Sequence, residues 1–400
     1  MTDMGATNRV SIVGGGIAGL SAAYALGLHR TSVALFEQAS EIAEAGAGIG
    51  LGPNAVKILD AWGLSKTLRE VGFLPDGLQA RDAVNGRFLG RLPMGQSFIE
   101  KYGAPYLTVH RADLHALLLK AVEQQSTTEI FWNHTLTGVD VAAEHISLQF
   151  NDGAVQHETH SLIGSDGLHS KVRPWVAGHE PATATGHWAY RALLPACDMP
   201  LSLRTSQIGV WMGRRLHLVH YPVRGGDYVN LVVLIESEDK AALPGWDIRR
   251  SAEQTKNDLQ QATQDCCVEL QQVIHAAKEW RAWCLFERPA LQSASQMARG
   301  RVALLGDAAH PMLPYLAQGA GMAIEDAQSL AMHWQRTEVS VEERLQQYAQ
   351  SRWQRVSKVQ QRSRRNGVIF HADGLLRIAR DAALKLGGSR LMDVPWLYSG

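Results

Sequence analysis

Gly14, Gly16 and Gly19 stand in the spacing G-x-G-x-x-G between a short β-branched run (residues 9–13, RVSIV) and an Ala/Leu-rich stretch (residues 20–28). A second apolar run, residues 31–37 (TSVALFE), ends on the acid Glu37, 18 residues beyond Gly19. Strand, tight turn, helix and strand in this order predict a βαβ unit within the first forty residues. Glycine is required at such a turn because the bend is tight, a pyrophosphate must approach the backbone, and the helix must pack close to the strand. The start of the helix offers free N–H groups and partial positive charge to phosphates. An acid at the end of the second strand accepts hydrogen bonds from ribose hydroxyls and favours an unphosphorylated ribose. The expected ligand is a dinucleotide, FAD or NAD.

Bulk properties narrow the setting. At 400 residues the chain is long enough for two domains. It is 46% hydrophobic and 20% charged with net charge +0, which gives no argument for nucleic acid or an anionic membrane surface. An anionic ligand must be held by local groups. Cys197, Cys266, Cys267 and Cys284 show no metal-ligand spacing, so no metal site is expected. Residues 1–8 do not resemble a secretion signal, and the expected compartment is the cytoplasm, with reduced thiols. No apolar run approaches the ~20 residues of a spanning helix.

Further along, residues 111–124 carry Leu114, Leu117, Leu118 and Val122 at helical spacing, followed by strand-like runs at 129–132, 136–141 and 145–150. The block 188–236 is strand-rich and predicts a separate sheet. Residues 251–280 read as one Gln-rich helical stretch, and the chain beyond Ala323 reads as helical to about Arg365. Two segments place an aspartate beside glycine after an apolar strand: Gly164-Ser165-Asp166-Gly167, and Gly306-Asp307 in the run Leu304 to Pro311. Either alone is a strand-ending turn. With the Gly14 loop they form a three-part nucleotide signature.

On these residues the chain resembles the class A (single-component) flavin monooxygenases, and the resemblance covers most of its length. It implies an α/β fold: a Rossmann-like FAD-binding domain, an interposed β-sheet substrate domain and a helical C-terminus. The implied boundaries are 1–75, 101–185 and 291–365 for the FAD-binding segments, 76–100 and 186–290 for the substrate domain, and 366–400 for a helical tail. Implied cofactor contacts are Gly14, Gly16, Ile17, Ala18, Gly19, Glu37, Gln38, Asp166, Gly306 and Asp307. Arg111 matches the family arginine at the head of the second helix. Gly48 and Ile49 belong to a segment (46–54) that matches the mobile-flavin region, where small residues let the ring system swing. Pro314, Gly319, Ala320, Gly321 and Met322 lie in or near the loop and helix start (318–327) behind the flavin. Implied co-substrates are NADH or NADPH and O2, and the implied chemistry is oxygen insertion through a flavin C4a-hydroperoxide.

On the substrate side, His217 and Tyr221 are four apart and so share one face of a strand, while His220 takes the other. Both the 3-hydroxybenzoate 6-hydroxylases and the 6-hydroxynicotinate 3-monooxygenases have this His-x-x-x-Tyr pair over the substrate. An electrophilic oxygen donor needs an electron-rich ring, and a base that takes the phenol proton enriches it. Histidine suits that task, and tyrosine can bind a carboxylate or relay the proton. Arg191, Pro314 and Gln318 complete the expected substrate contacts, with His310 a weaker candidate that could instead cap its strand.

Three departures bear on the substrate. Pro314 stands where many 3-hydroxybenzoate enzymes carry glutamine and salicylate hydroxylases often carry proline. Gly50 stands where 6-hydroxynicotinate enzymes carry histidine. Residues 371–380 (HADGLLRIAR) again resemble the 3-hydroxybenzoate enzymes. The reading is a small monohydroxylated benzoate, salicylate or 3-hydroxybenzoate. The competing readings are a flavin monooxygenase acting on another aromatic or N-heteroaromatic substrate, a flavin oxidase or dehydrogenase, and a non-catalytic flavin sensor with Arg362-x-Arg364-Arg365 as partner surface. That basic cluster also reads as a solvated helix face, and the mixed apolar and basic tail from Gly367 offers a surface for a homodimer.

Overall fold

The computed structural model describes residues 9–41, 47–142, 144–237 and 250–399. Gly46, at the head of the expected mobile-flavin segment, lies outside the described residues. The opening motif folds as strand Val10–Val13, helix Ile17–Leu28 and strand Val33–Phe36. The helix begins at Ile17 rather than Leu20 because Gly16 is extended (φ −72, ψ −175) and forms its N-cap. Every residue of both strands is buried, which is why they read as unbroken apolar runs rather than alternating ones.

Six strands form the nucleotide sheet, in the order Ala298–Arg299, Val302–Leu304, Ser161–Gly164, Val10–Val13, Val33–Phe36, Thr128–Phe131. All neighbours are parallel except the first pair. Chain order reverses at Val10–Val13, so a crevice opens at the carboxyl ends of the central strands, where open α/β sheets bind ligands. Helix Ile17–Leu28 is buried on almost every side, since it packs against both helix Gly319–Trp334 and helix Arg111–Glu123. Each Leu buried there contributes roughly 1.5–3 kcal/mol relative to an exposed one.

A second sheet of seven strands lies over the crevice, in the order Arg281–Glu287, Thr183–Pro195, Tyr228–Glu236, Leu216–Val223, Gln207–Gly213, Gly77–Asp82, Phe88–Pro93. Its outer face carries Trp188, Tyr190, Trp211, Leu218 and Val233, packed against Leu259, Leu270 and Val273 of two helices. Those helices, Ala252–Thr263 and Val268–Ala276, were expected as one. The chain breaks at Cys266-Cys267 because Cys267 is extended and its N–H donates to Ala83 O at 2.8 Å, docking the pair on the 82–87 turn. Toward the C-terminus the long helices are Gly319–Trp334, Val341–Phe370 and Gly374–Gly387, followed by the short helices Ser389–Met392 and Pro395–Tyr398. Ser340 caps the second by accepting from the Glu343 N–H. Among the described residues no helix is long and apolar enough to cross a membrane.

Candidate active site

The parallel register brings the carboxyl ends of Val10–Val13, Ser161–Gly164 and Val302–Leu304 to one rim, and with them Gly14, Asp166 and Asp307. Two glycines there admit no side chain. Gly14 has φ +103, and a Cβ on it would sit 2.5 Å from Ser165 O. A Cβ on Gly19 would sit 1.9 Å from Gly14 O. The Ser165 hydroxyl, within 2.8 Å of Val13 O and 2.9 Å of Gly14 O, ties the two turns together. Glu37 holds the loop from the other side, its carboxylate accepting from Gly15 N (2.6 Å) and Ala39 N (2.8 Å). Each oxygen keeps a further lone pair for a ribose hydroxyl.

A cleft of about 720 Å³ runs from this rim to the second sheet. Gly14, Gly16, Ile17 and Ala18 line it at the glycine loop, and Glu37 and Gln38 at the second strand. Gly48, Ile49 and Arg111 form one wall; Pro314, Gln318, Gly319 and Ala320 form another. Four residues expected at the cofactor stand behind the wall instead. Gly19 packs under Gly14, Gly306 donates its N–H to Asp326 Oδ2 (3.1 Å), Gly321 abuts the Gln318 side chain, and Met322 is fully buried. Their small size or apolar bulk shapes the wall rather than the lining.

The polar atoms of the rim fit a dinucleotide. Asp166 Oδ2 accepts from Lys171 N at 2.7 Å, but its Oδ1 is buried with no hydrogen-bond partner. Such an orphaned acceptor costs about 1–3 kcal/mol until a donor arrives, and burial raises its pKa. Asp307 opens onto the cleft, and the desolvating protein around it raises its pKa, against the opposing charges of His310 and Arg111. Two acceptors at the rim, Asp166 half-buried and Asp307 open to the cleft, suit the hydroxyls of a ribose or ribityl chain. Arg111 opens helix Arg111–Glu123 with its N–H on Ala47 O (2.8 Å) and its side chain in the cleft.

The far end of the cleft is built from side chains. Along Leu216–Val223, His217, Val219 and Tyr221 face the cleft, while Leu216 and Leu218 face the outer core. His220 also turns away and covers Gly209, whose Cβ would meet its Nε2 at 2.0 Å. Burial and the Arg81 charge push His220 down to about 4. Tyr221 lies against Gly48, where a Cβ would come 2.5 Å from its ring. The Gly48 N–H donates to Asn230 Oδ1 at 2.6 Å, so strand Gly48–Leu51 is pinned to the second sheet. Burial raises the Tyr221 hydroxyl, with Tyr106 adding and Arg191 opposing.

Arg191 lies with its guanidinium 5.2 Å from the Trp283 ring. Its Nε is buried without a partner, and burial lowers its pKa, with Tyr221 opposing and Arg111 adding. A desolvated cation of this kind asks for an anion. His217 is buried, and burial, His371 and His187 hold it well below the ordinary range, so it is neutral at pH 7. Its Nδ1 is 2.8 Å from His371 Nε2. His310 is neither a strand cap nor a cleft residue. Its Nε2 meets Asp326 Oδ2 at 2.5 Å, in a buried network where Arg352 binds both Asp326 and Glu325 and Asn54 links Glu325 to Gln318. That network braces the Gln318 loop from below.

Sequence reasoning missed Asn230, His371, His187 and Tyr315. Asn230 is a polar residue in a long apolar strand, a signal that was available. His371 lay inside the tail segment noted for its likeness, but nothing in its spacing pointed to His217.

A glycine-loop crevice faces a side-chain pocket with a neutral histidine and a half-buried cation, and the chain's similarities make it a FAD-dependent aromatic-ring monooxygenase, a class that uses NAD(P)H and O2. The chain belongs to the FAD binding domain family, whose model matches residues 7–363. A 3-hydroxybenzoate 6-hydroxylase of Polaromonas naphthalenivorans is 36% identical over 400 residues, covering 100% of this chain and 97% of that one. A 3-hydroxybenzoate 6-hydroxylase of Aquipseudomonas alcaligenes is 35% identical, covering 98% and 97%. Among solved structures, a Klebsiella pneumoniae HpxO variant complexed with FAD superposes with TM-score 0.84 at 25% identity, covering 96% of each chain.

Proposed function

We propose that the chain hydroxylates the ring of a monohydroxybenzoate, with 3-hydroxybenzoate the first candidate. One observation carries the reading. Arg191, half-buried with its Nε lacking a partner, and the pair His217 and Tyr221 line the same cleft beneath one sheet. An aromatic acid with a ring hydroxyl matches that set, its carboxylate on Arg191 and its hydroxyl on His217 or Tyr221. The names of the two relatives, similar over the full chain, support the same substrate. Pro314 supports salicylate as the second candidate.

FAD, when bound at the Gly14–Asp166–Asp307 rim and reduced by NAD(P)H, would supply the activated oxygen. Everything else is the work of this chain's side chains. Arg191 orients the acid through charge-assisted hydrogen bonds. His217 takes the phenolic proton, which raises electron density ortho and para to that oxygen. Tyr221 keeps its own proton and donates a hydrogen bond to the phenolate. The sheet excludes water above the ring, which limits the loss of activated oxygen as hydrogen peroxide.

The test is NADH oxidation by the FAD-loaded protein against a panel of hydroxybenzoates, with products identified by mass spectrometry. Gentisate from 3-hydroxybenzoate is the expected result. Catechol from salicylate would shift the assignment to oxidative decarboxylation. Hydrogen peroxide alone from every benzoate would remove this substrate class.

A further inference from the structure

A neutral histidine that accepts a proton in a buried pocket becomes a cation in a place that disfavours one. Of the His217 ring nitrogens, Nδ1 is taken by His371, so Nε2 is the one left for a ligand. A proton gained on Nε2 is tolerated only if Nδ1 passes its own onward. His371 is the residue bonded there. It is held firmly, its N–H donating to Gly367 O (3.1 Å) and its carbonyl accepting from Arg215 N (3.2 Å).

The second nitrogen of His371 is the informative atom. His371 Nδ1 is buried with no hydrogen-bond partner, and Glu236 Oε2 lies 3.9 Å away. That gap is one a bridging water or a small side-chain rotation closes. The Glu236 side chain is 34% exposed, so it joins the buried pair to solvent. Other groups press on the same spot. His187 pairs with Glu236 across the sheet and stacks on His371 at 5.4 Å. Tyr315 hydrogen-bonds His187 and borders His217. Arg380 donates to the Phe370 carbonyl at 3.0 Å, and its charge faces His371. With burial first, then His187 and Arg380, His371 is pushed down to about 3. It therefore passes a proton on rather than storing it.

We propose that His217, His371 and Glu236 form a path that carries the substrate's phenolic proton from the cleft to solvent. The path rests on the hydroxybenzoate reading above. The phenolic O–H breaks as N–H forms at His217 Nε2; the His217 Nδ1 proton moves to His371 Nε2; the His371 Nδ1 proton moves to Glu236 and then to water. No electrons change hands, and both rings finish in the opposite tautomer. Reverse passage restores them when the product oxygen is reprotonated. His217 touches substrate and is the catalytic residue; His371 and Glu236 act through it as positioning residues.

The experiment mixes FAD-loaded, oxidised enzyme with 3-hydroxybenzoate in a stopped-flow spectrometer and follows phenolate absorbance across pH, in H2O and D2O. His371→Gln can still hydrogen-bond His217 but cannot relay. It should slow phenolate formation at least ~10-fold, at the low end of what a positioned proton-transfer group supplies, with FAD content unchanged. Glu236→Gln should slow it in the same direction and weaken its dependence on pH. Unchanged phenolate kinetics in His371→Gln, with or without weaker FAD binding, overturns the path and leaves His371 a packing residue. Slowing by His371→Gln but not by Glu236→Gln overturns the exit at Glu236 and so the proposal. If the wild type turns over no hydroxybenzoate, the substrate reading and the path fall together; normal wild-type turnover with unaffected variants removes the path alone.

Discussion

The two ends of the cleft are made in different ways. The nucleotide end is made of backbone: Gly14, Gly19 and Ser165 fit so closely that a single methyl group has no room. The far end is made of side chains set on a regular sheet, where strand alternation delivers His217, Val219 and Tyr221 to one face. A backbone site fails as a whole when touched, because the turn and the ligand position are the same object. A side-chain site can lose one function and keep its shape. On the proposed function, substrate choice belongs to the second end, and the first end serves any substrate alike.

Breaking the first end should give the largest effect. Gly19→Val puts a branched side chain where even a Cβ would lie 1.9 Å from Gly14 O. Overpacking of this kind typically costs about 1–3 kcal/mol or more, and here it displaces the cofactor turn itself. The expected outcome is colourless protein, measured by flavin absorbance after purification. A yellow, stoichiometrically loaded Gly19→Val protein would erase the contrast.

The second end should break more selectively. His217→Ala is expected to retain the flavin spectrum and to lose roughly 10²-fold in product formation, the scale of a positioned proton-transfer group. Product assay with flavin content as the control decides it, and full activity would remove His217 from the chemistry.

The smallest effect sharpens the comparison by pH. His217, His220 and His371 all have folded-state values below the ordinary histidine value. A depressed value means the unfolded chain binds more protons, so the stability they contribute is present above roughly pH 6.5 and lost as pH falls below it. Thermal unfolding should therefore shift to lower temperature between pH 7 and pH 5. The His220→Asn protein should show a shallower decline, and an equal slope would show that His220 titrates alike in both states.

The same contrast explains how far the sequence could be read. The nucleotide end was legible because its constraint is steric and local: only glycine fits at positions 14 and 19, and only a strand-ending acid such as Glu37 reaches back to the loop. The pairing of His217 with Tyr221 was legible through the two-residue period of a strand. The contact between His217 and His371 was not, because it joins a sheet to the end of a helix 154 residues away. The split at Cys266-Cys267 was hidden for a similar reason, since the partner is a carbonyl at Ala83. The contact of His310 with Asp326 was not legible either, because the 16 residues between them include a turn and the start of helix Gly319–Trp334 that only the fold brings back to His310.

The order of strands in the nucleotide sheet also bears on how the molecule comes into being. Val10 pairs with Ser161, and Leu162 pairs with Val302. Strand Val10–Val13 must therefore wait for residues 161–164 before it gains its second neighbour, and the rim is incomplete until Asp307 has emerged. Pairings this distant in sequence slow folding, and a nascent chain with an unpaired central strand is exposed to aggregation. Flavin cannot assist that early stage, since its site does not yet exist. Supply of the vitamin should then affect the lifetime of finished molecules rather than the yield of translation.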